Sequence, residues 1–173
     1  MTRRILAIAL ISGLALVAAA SIAGNFVAYD LLYQAFDKYN DSRLDPIGEL
    51  AWNLAPAARG RHAVVILGDS HARNWNYPGP DVLNLGIPSQ TTAQIRLRSD
   101  LYRDSLSGNR LIILAGGNDL KSLSTNLARK PEIVGQCLAA LEAIVLNHKQ
   151  RFDQVVLATI PPAFRLPLLY RIL

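Results

Sequence analysis

The sequence contains a single cysteine, Cys137, so no disulfide can close within the chain. That cysteine falls on the apolar side of an expected helix, where a free thiol serves as a small hydrophobe. Charge is also sparse: 18% of residues are charged against 51% apolar, which argues against a disordered chain. The 18 Lys and Arg outnumber the 13 Asp and Glu by five, yet no dense basic block is interleaved with aromatics. Nucleic acid is therefore not an expected partner. No His, Asp or Glu pair has ligand spacing on one element, so neither a metal site nor any other cofactor is expected. Gly116-Gly117-Asn118 has no adjoining Lys or Arg and lacks phosphate-loop spacing. Histidine is scarce, with only His62, His71 and His148.

Apolar residues are abundant at the N-terminus. Arg3 and Arg4 precede an uncharged run from Ile5 to Ala28. A short basic region before an apolar stretch is the pattern of a secretory signal, and Ala18 and Ala20, or Ser21 and Ala23, offer small residues for cleavage. The same run is long enough to span a bilayer, with Arg3 and Arg4 left on the cytoplasmic side. Val27, Leu31, Leu32, Ala35 and Phe36 continue at helical spacing, which favours an uncleaved anchor. Either reading exports the rest of the chain, as a membrane-anchored domain facing outward or as a secreted or periplasmic one. The expected organisation is a signal or transmembrane anchor over 1–28, a helical connector over 29–61, and one domain over 62–173. A short helix is expected near Ile47 to Leu54.

From His62 onward strands and helices alternate. Strands are expected at Ala63–Leu67, Asp81–Leu85, Arg110–Ala115 and Gln154–Ile160, the last stopped by Pro161-Pro162. A helix is expected over Ser89–Leu106, capped by Ser89, with Ile95, Leu101 and Leu106 inward. A longer helix opens at Pro131. Its apolar residues at 133, 134, 137, 138, 141, 144 and 145 form one face. The alternation predicts an α/β fold, a parallel sheet sandwiched between helix layers.

In such sheets ligands bind beyond the carboxyl ends of the strands. The first three strands end in Gly68-Asp69-Ser70-His71, in Asn84-Leu85-Gly86-Ile87-Pro88-Ser89 and in Gly116-Gly117-Asn118-Asp119. Each is also an ordinary turn composition, but three on neighbouring strands would converge at one edge. Gly-Asp-Ser after the first strand, Gly after the second and Gly-x-Asn-Asp after the third resemble the GDSL/SGNH hydrolases over roughly Ala63 to Pro162. That resemblance implies a flavodoxin-like three-layer fold and a serine esterase or lipase that works through an acyl-enzyme. It implies Ser70 as nucleophile, with the Gly86 backbone N–H and the Asn118 side-chain amide as the oxyanion hole. Donors that are neutral and preorganised suit that role.

A serine needs a base to take its proton. The family supplies it in a late Asp-x-x-His block that this sequence lacks. His62 is expected at the wrong end of the first strand. His148 is expected to extend the apolar face of the Pro131 helix at its C-terminal end, where a cation would complement the helix dipole. His71 is the candidate substitute base or pocket-lining residue. Asp69 is read as holding the Ser70 turn, and Asp119 as a loop stabiliser. The tail Leu166–Leu173 is strongly apolar, which leads to the expectation that the chain is a C-terminally incomplete version of a longer enzyme. Trp75, Tyr77 and Pro78 follow the nucleophile and are candidates to line a pocket. The expected partners are a small-molecule, lipid or glycan ester and, through the N-terminal segment, a membrane. The alternative is a catalytically impaired SGNH-fold binding protein of the cell envelope.

Overall fold

The computed structural model describes residues 3–158. The chain forms two compact units that part between Pro46 and Ile47. The first is a single uninterrupted helix, α1 (Arg3–Leu44), with no buried residue. It carries the whole apolar run and continues through Tyr29, Tyr33, Phe36 and Tyr39, so no break marks residue 28. At 42 residues it is roughly 63 Å long, about twice the hydrocarbon thickness of a bilayer. It is long and apolar enough to cross a membrane.

The second unit opens with a one-turn helix, α2 (Glu49–Trp52). There follow β1 (Gly60–Gly68), α3 (Ser70–Arg73), β2 (Val82–Gly86), α4 (Thr92–Tyr102) and β3 (Leu106–Leu114). The described part closes with α5 (Gly117–Ser122), α6 (Lys130–His148) and β4 (Phe152–Leu157). The four strands form one parallel sheet in the order β2-β1-β3-β4, with Gly68 in register with both Gly86 and Leu114. This is the flavodoxin-like strand order.

Strand alternation builds the core. Val65, Leu67, Leu111 and Ile113 face Ile95 and Tyr102 of α4 and Ile144 of α6, with Phe152 completing the cluster. Ile66 and Ile112 point to the opposite face and are also buried. Arg110 shares that face, and its Nη1 donates to the Tyr77 hydroxyl at 3.3 Å, so the segment after α3 covers this side. Among the described residues α4 and α6 cover the first face, while the second is met by the non-helical segment that carries Tyr77.

Several boundaries differ from the sequence reading, each for a tertiary reason. β1 and β3 both begin earlier than expected, because Gly60–His62 pairs with Leu106–Gly108 at an end too polar to signal a strand. Leu106 is thus a buried strand residue, not a helical one, and Leu101 of α4 is exposed. Asp81 lies outside β2 with φ of 56°, its carboxylate accepting from the Ala63 N–H at 2.8 Å. α4 is capped by Thr91, whose N–H donates to Gln94 Oε1 at 2.9 Å, rather than by Ser89. Leu138 of α6 is exposed and Ala140 is buried in its place, while His148 extends the buried face as its position at the end of the apolar stripe implies. Residues 47–58, expected as connector, pack into the α/β unit: Ala58 is fully buried, and Leu54 and Ala55 lie against the core. The expected end of the fourth strand at Ile160 and the apolar tail lie outside the described residues.

Candidate functional site

With the order β2-β1-β3-β4, the chain leaves β1 in one direction to reach β2 and turns back to β3 on the other side. The crevice between the carboxyl ends of β1 and β3 is the topological switch point, where open α/β sheets bind ligands. All three sequence blocks meet there.

The first block is held by Asp69. Its side chain is buried, and it caps α3 by accepting the His71 N–H at Oδ1 over 2.9 Å. The same oxygen lies 3.1 Å from His71 Nδ1. The cap makes Ser70 the first residue of α3, half-buried, with its carbonyl accepting the Asn74 N–H. The Ser70 hydroxyl makes no hydrogen bond among the described residues. Gly68 must be glycine, because a Cβ there would run into the Leu114 carbonyl and Ala72. The Asp69 N–H donates to that Leu114 carbonyl at 3.2 Å, which fixes the Ser70 turn against β3.

Gly86 ends β2 under α3. A Cβ on it would sit against the Arg73 backbone and 2.8 Å from the Ala72 carbonyl carbon. Its N–H, expected from the family resemblance to face an oxyanion, donates to Asn84 Oδ1 at 2.9 Å, while the Asn84 amide donates to the Ala72 carbonyl at 2.8 Å. Three residues on, Ser89 is exposed and adopts a left-handed backbone with φ of 66°. Its N–H has no partner among the described residues. Non-glycine residues at positive φ concentrate at functional sites.

In the third block Gly116, with φ of 107°, turns the chain out of β3. Gly117 then passes Asp69 and His71 closely enough that a Cβ would touch both at 3.5 Å. Asn118 Nδ2 donates to the Gln90 carbonyl at 2.9 Å, which commits one of its two N–H groups. Asp119 is buried and ties α5 to the start of α4. Its carboxylate accepts the Thr92 N–H at 2.9 Å and the Thr92 hydroxyl at 2.8 Å. The structure thus brings Ser70, Asp69, His71 and Asn118 to one edge, with Gly86 beneath α3.

Of the three histidines, His62 lies near the far end of β1, bonded to Asp81 at 2.9 Å. Its pairing, chiefly the hydrogen bond, lowers the Asp81 pKa. His148 is buried in the α6 face, and neither ring nitrogen has a partner among the described residues. Burial lowers its pKa, so it is a neutral core residue and not the dipole-complementing cation expected from its position. His71 is the imidazole beside the site, and its side chain is 43% exposed. No imidazole lies within hydrogen-bonding distance of the Ser70 hydroxyl among the described residues.

Two further features stand out, and only the second, Arg98, escaped the sequence reading. Trp75 and Tyr77 form an edge-to-face pair with centroids 5.4 Å apart, beside an open depression of about 300 Å³ that also touches Asn74, Asn76 and Asn84. Beneath the site, Arg98 is fully buried and donates through Nε and Nη2 to Gln90 Oε1 at 3.1 and 3.0 Å. The signal for Arg98 was its place on the same helical face as Ile95 and Tyr102.

No family model matches the sequence, and no curated protein does. A solved structure described as "a putative platelet activating factor from Streptococcus pneumonia" is similar, with a TM-score of 0.56 and 18% identity. The match covers 76% of this chain and 61% of that one, so the chain spans less than two thirds of its length. This chain is therefore an α/β protein of flavodoxin-like fold, sharing that architecture with the pneumococcal structure, and it carries one long apolar N-terminal helix.

Proposed function

We propose that the chain is a serine ester hydrolase of the GDSL/SGNH type, with Ser70 as nucleophile. The carrying observation is the convergence at the switch point of an unengaged serine hydroxyl with an asparagine amide that retains one uncommitted N–H. Ser70 Oγ bonds to the ester carbonyl carbon as its proton passes to a base. The tetrahedral oxyanion takes hydrogen bonds from the spare Asn118 N–H and from the turn after β2. Gly86 supplies the second donor if Asn84 releases its N–H, and the unpartnered Ser89 N–H lies in the same turn. Collapse expels the alcohol, which takes up a proton, and water then releases the acid from Ser70. Each oxyanion donor typically contributes about 3–4 kcal/mol in related acyl transfer.

For the base we propose His71. Asp69 at its Nδ1 favours the tautomer that leaves Nε2 free to accept a proton, the arrangement a hydrolytic triad requires. No direct hydrogen bond joins it to Ser70, so the transfer runs through one water. The length and apolarity of α1 support a domain held beside a membrane, on the outer side if Arg3 and Arg4 stay cytoplasmic. A lipid or envelope-glycan ester is the substrate class that fits this location.

The experiment is hydrolysis of short-chain p-nitrophenyl esters by the full chain in detergent, beside Ser70→Ala and His71→Gln. Turnover that Ser70→Ala abolishes supports the nucleophile, and a large loss in His71→Gln supports the base. A second reading follows from the missing Ser70–imidazole contact: an SGNH-fold binding protein of the envelope with impaired catalysis. Folded protein that hydrolyses no faster than Ser70→Ala supports that reading.

A further inference from the structure

A cluster of buried polar side chains centred on Arg98 lies under the site. Arg98 has no exposed surface, yet its guanidinium is pressed against Gln90, itself 4% exposed. Its Nη2 also points at the Gly68 carbonyl at 3.5 Å, and that carbonyl accepts the Ile87 N–H at 3.0 Å. The opposite end of the Gln90 side chain donates to the Ile47 carbonyl at 2.6 Å. One helical turn along α4, Tyr102 donates to Glu49 Oε2 at 2.6 Å, and Glu49 Oε1 accepts the Ala55 N–H. Burying a charged guanidinium is costly unless it is paired, and Nη1 has no partner among the described residues. Arg98 also lacks a directly bonded carboxylate, with the Glu49 charge nearby beyond Tyr102.

What this cation holds is the useful fact. The Gln90 main-chain carbonyl is the acceptor that fixes the Asn118 amide, and Gly68 is the residue before Asp69-Ser70. Arg98 therefore grips the point where the nucleophile turn, the β2–α4 loop and the oxyanion asparagine are joined. We propose that Arg98 and Gln90 form a buried clamp that positions the Asn118 amide and the β2–α4 loop for the reaction of Ser70. Both are positioning residues, since neither reaches the reacting atoms. Activity at the proposed site depends on the clamp through Asn118.

This inference rests on the hydrolase reading, so its test has one arm that needs no turnover. The variants are Gln90→Glu, which keeps an acceptor for both guanidinium N–H groups but gives up the donor to the Ile47 carbonyl, and Gln90→Met, which removes both at similar volume. Ester hydrolysis and side-chain amide NMR are measured on the full chain in detergent, with folding checked by circular dichroism. The clamp predicts a clearly higher kcat for Gln90→Glu, which keeps the Arg98 contact, than for Gln90→Met. For Gln90→Met it predicts a fall of about 10- to 100-fold with KM nearly unchanged, the size expected for a donor displaced by a fraction of an ångström to an ångström. Asn118→Ala should then cost much less in the Gln90→Met background than in the parent. The Asn118 amide protons should exchange slowly in the parent, faster in Gln90→Glu and fastest in Gln90→Met. A folded Gln90→Met protein with parental kcat, or an undiminished Asn118→Ala cost, overturns the clamp. If the parent shows no Ser70-dependent turnover, the hydrolase reading fails and the NMR arm alone decides whether Gln90 holds Asn118. Should Gln90→Met not fold, Arg98→Lys carries the same kinetic and NMR comparison, with the same outcomes supporting or overturning it.

Discussion

Replacing Gly86 by alanine adds one carbon where the sheet closely approaches α3, the helix that begins at Ser70. The new Cβ would lie 2.7 Å from the Arg73 Cα and 2.8 Å from the Ala72 carbonyl carbon, with the Arg73 nitrogen nearer still. Ordinary carbon–carbon contact is about 3.7 Å, so α3 must retreat by about 1 Å. These are backbone atoms, so no side-chain rotation relieves the clash. Overpacking of this kind costs about 1–3 kcal/mol, a fall in Tm of roughly 5–10 °C for a domain of this size. Ser70 begins the displaced helix, and a shift of that size costs about 100-fold in rate at a preorganised site. Gly135 is the control, because a Cβ there meets nothing within 4 Å. Gly135→Ala in the exposed middle of α6 should stabilise by about 0.5–1 kcal/mol. The assay is thermal and urea unfolding of both variants, with ester hydrolysis alongside. A Gly86→Ala protein as stable and as active as its parent would refute the packing argument.

Asp119→Ala removes both acceptors from Thr92 and should destabilise the α/β unit by roughly 2 kcal/mol, read as a lowered urea midpoint. Tyr102→Phe leaves the inner Glu49 oxygen without its donor and should cost about 1–2 kcal/mol by the same measurement. His148 is neutral in the fold because burial lowers its pKa, so the unfolded chain binds the extra proton first. Stability present above the unfolded value of about 6.5 is lost as pH falls from there towards the lowered folded value. His148→Leu should show a shallower loss of urea midpoint between pH 7 and pH 5.5 than the parent does.

Elements dense in β-branched residues or strict in period were legible in the sequence, among them Val64–Leu67, Leu111–Leu114 and the α6 face. Edges set by pairing between distant segments were not: Gly60–His62 and Leu106–Gly108 are strands only because each completes the other. The three site blocks could be placed because each sits at a strand end, and parallel topology carries such ends to one edge. The engagement of the Gly86 N–H by Asn84 could not be read, since it depends on a side chain two residues away bending back. Arg98 and Glu49 were hidden for a similar reason. Charge at an inward helical position signals a buried partner only once the segment around Ile47 is known to lie beside it.

The most direct test of the account is covalent labelling of the full chain with a fluorophosphonate, followed by peptide mass analysis, in parent and Ser70→Ala. The account predicts one adduct, on Ser70, absent from the variant. A folded parent that takes no label at Ser70, or labels equally after Ser70→Ala, contradicts the assignment of Ser70 as an activated nucleophile.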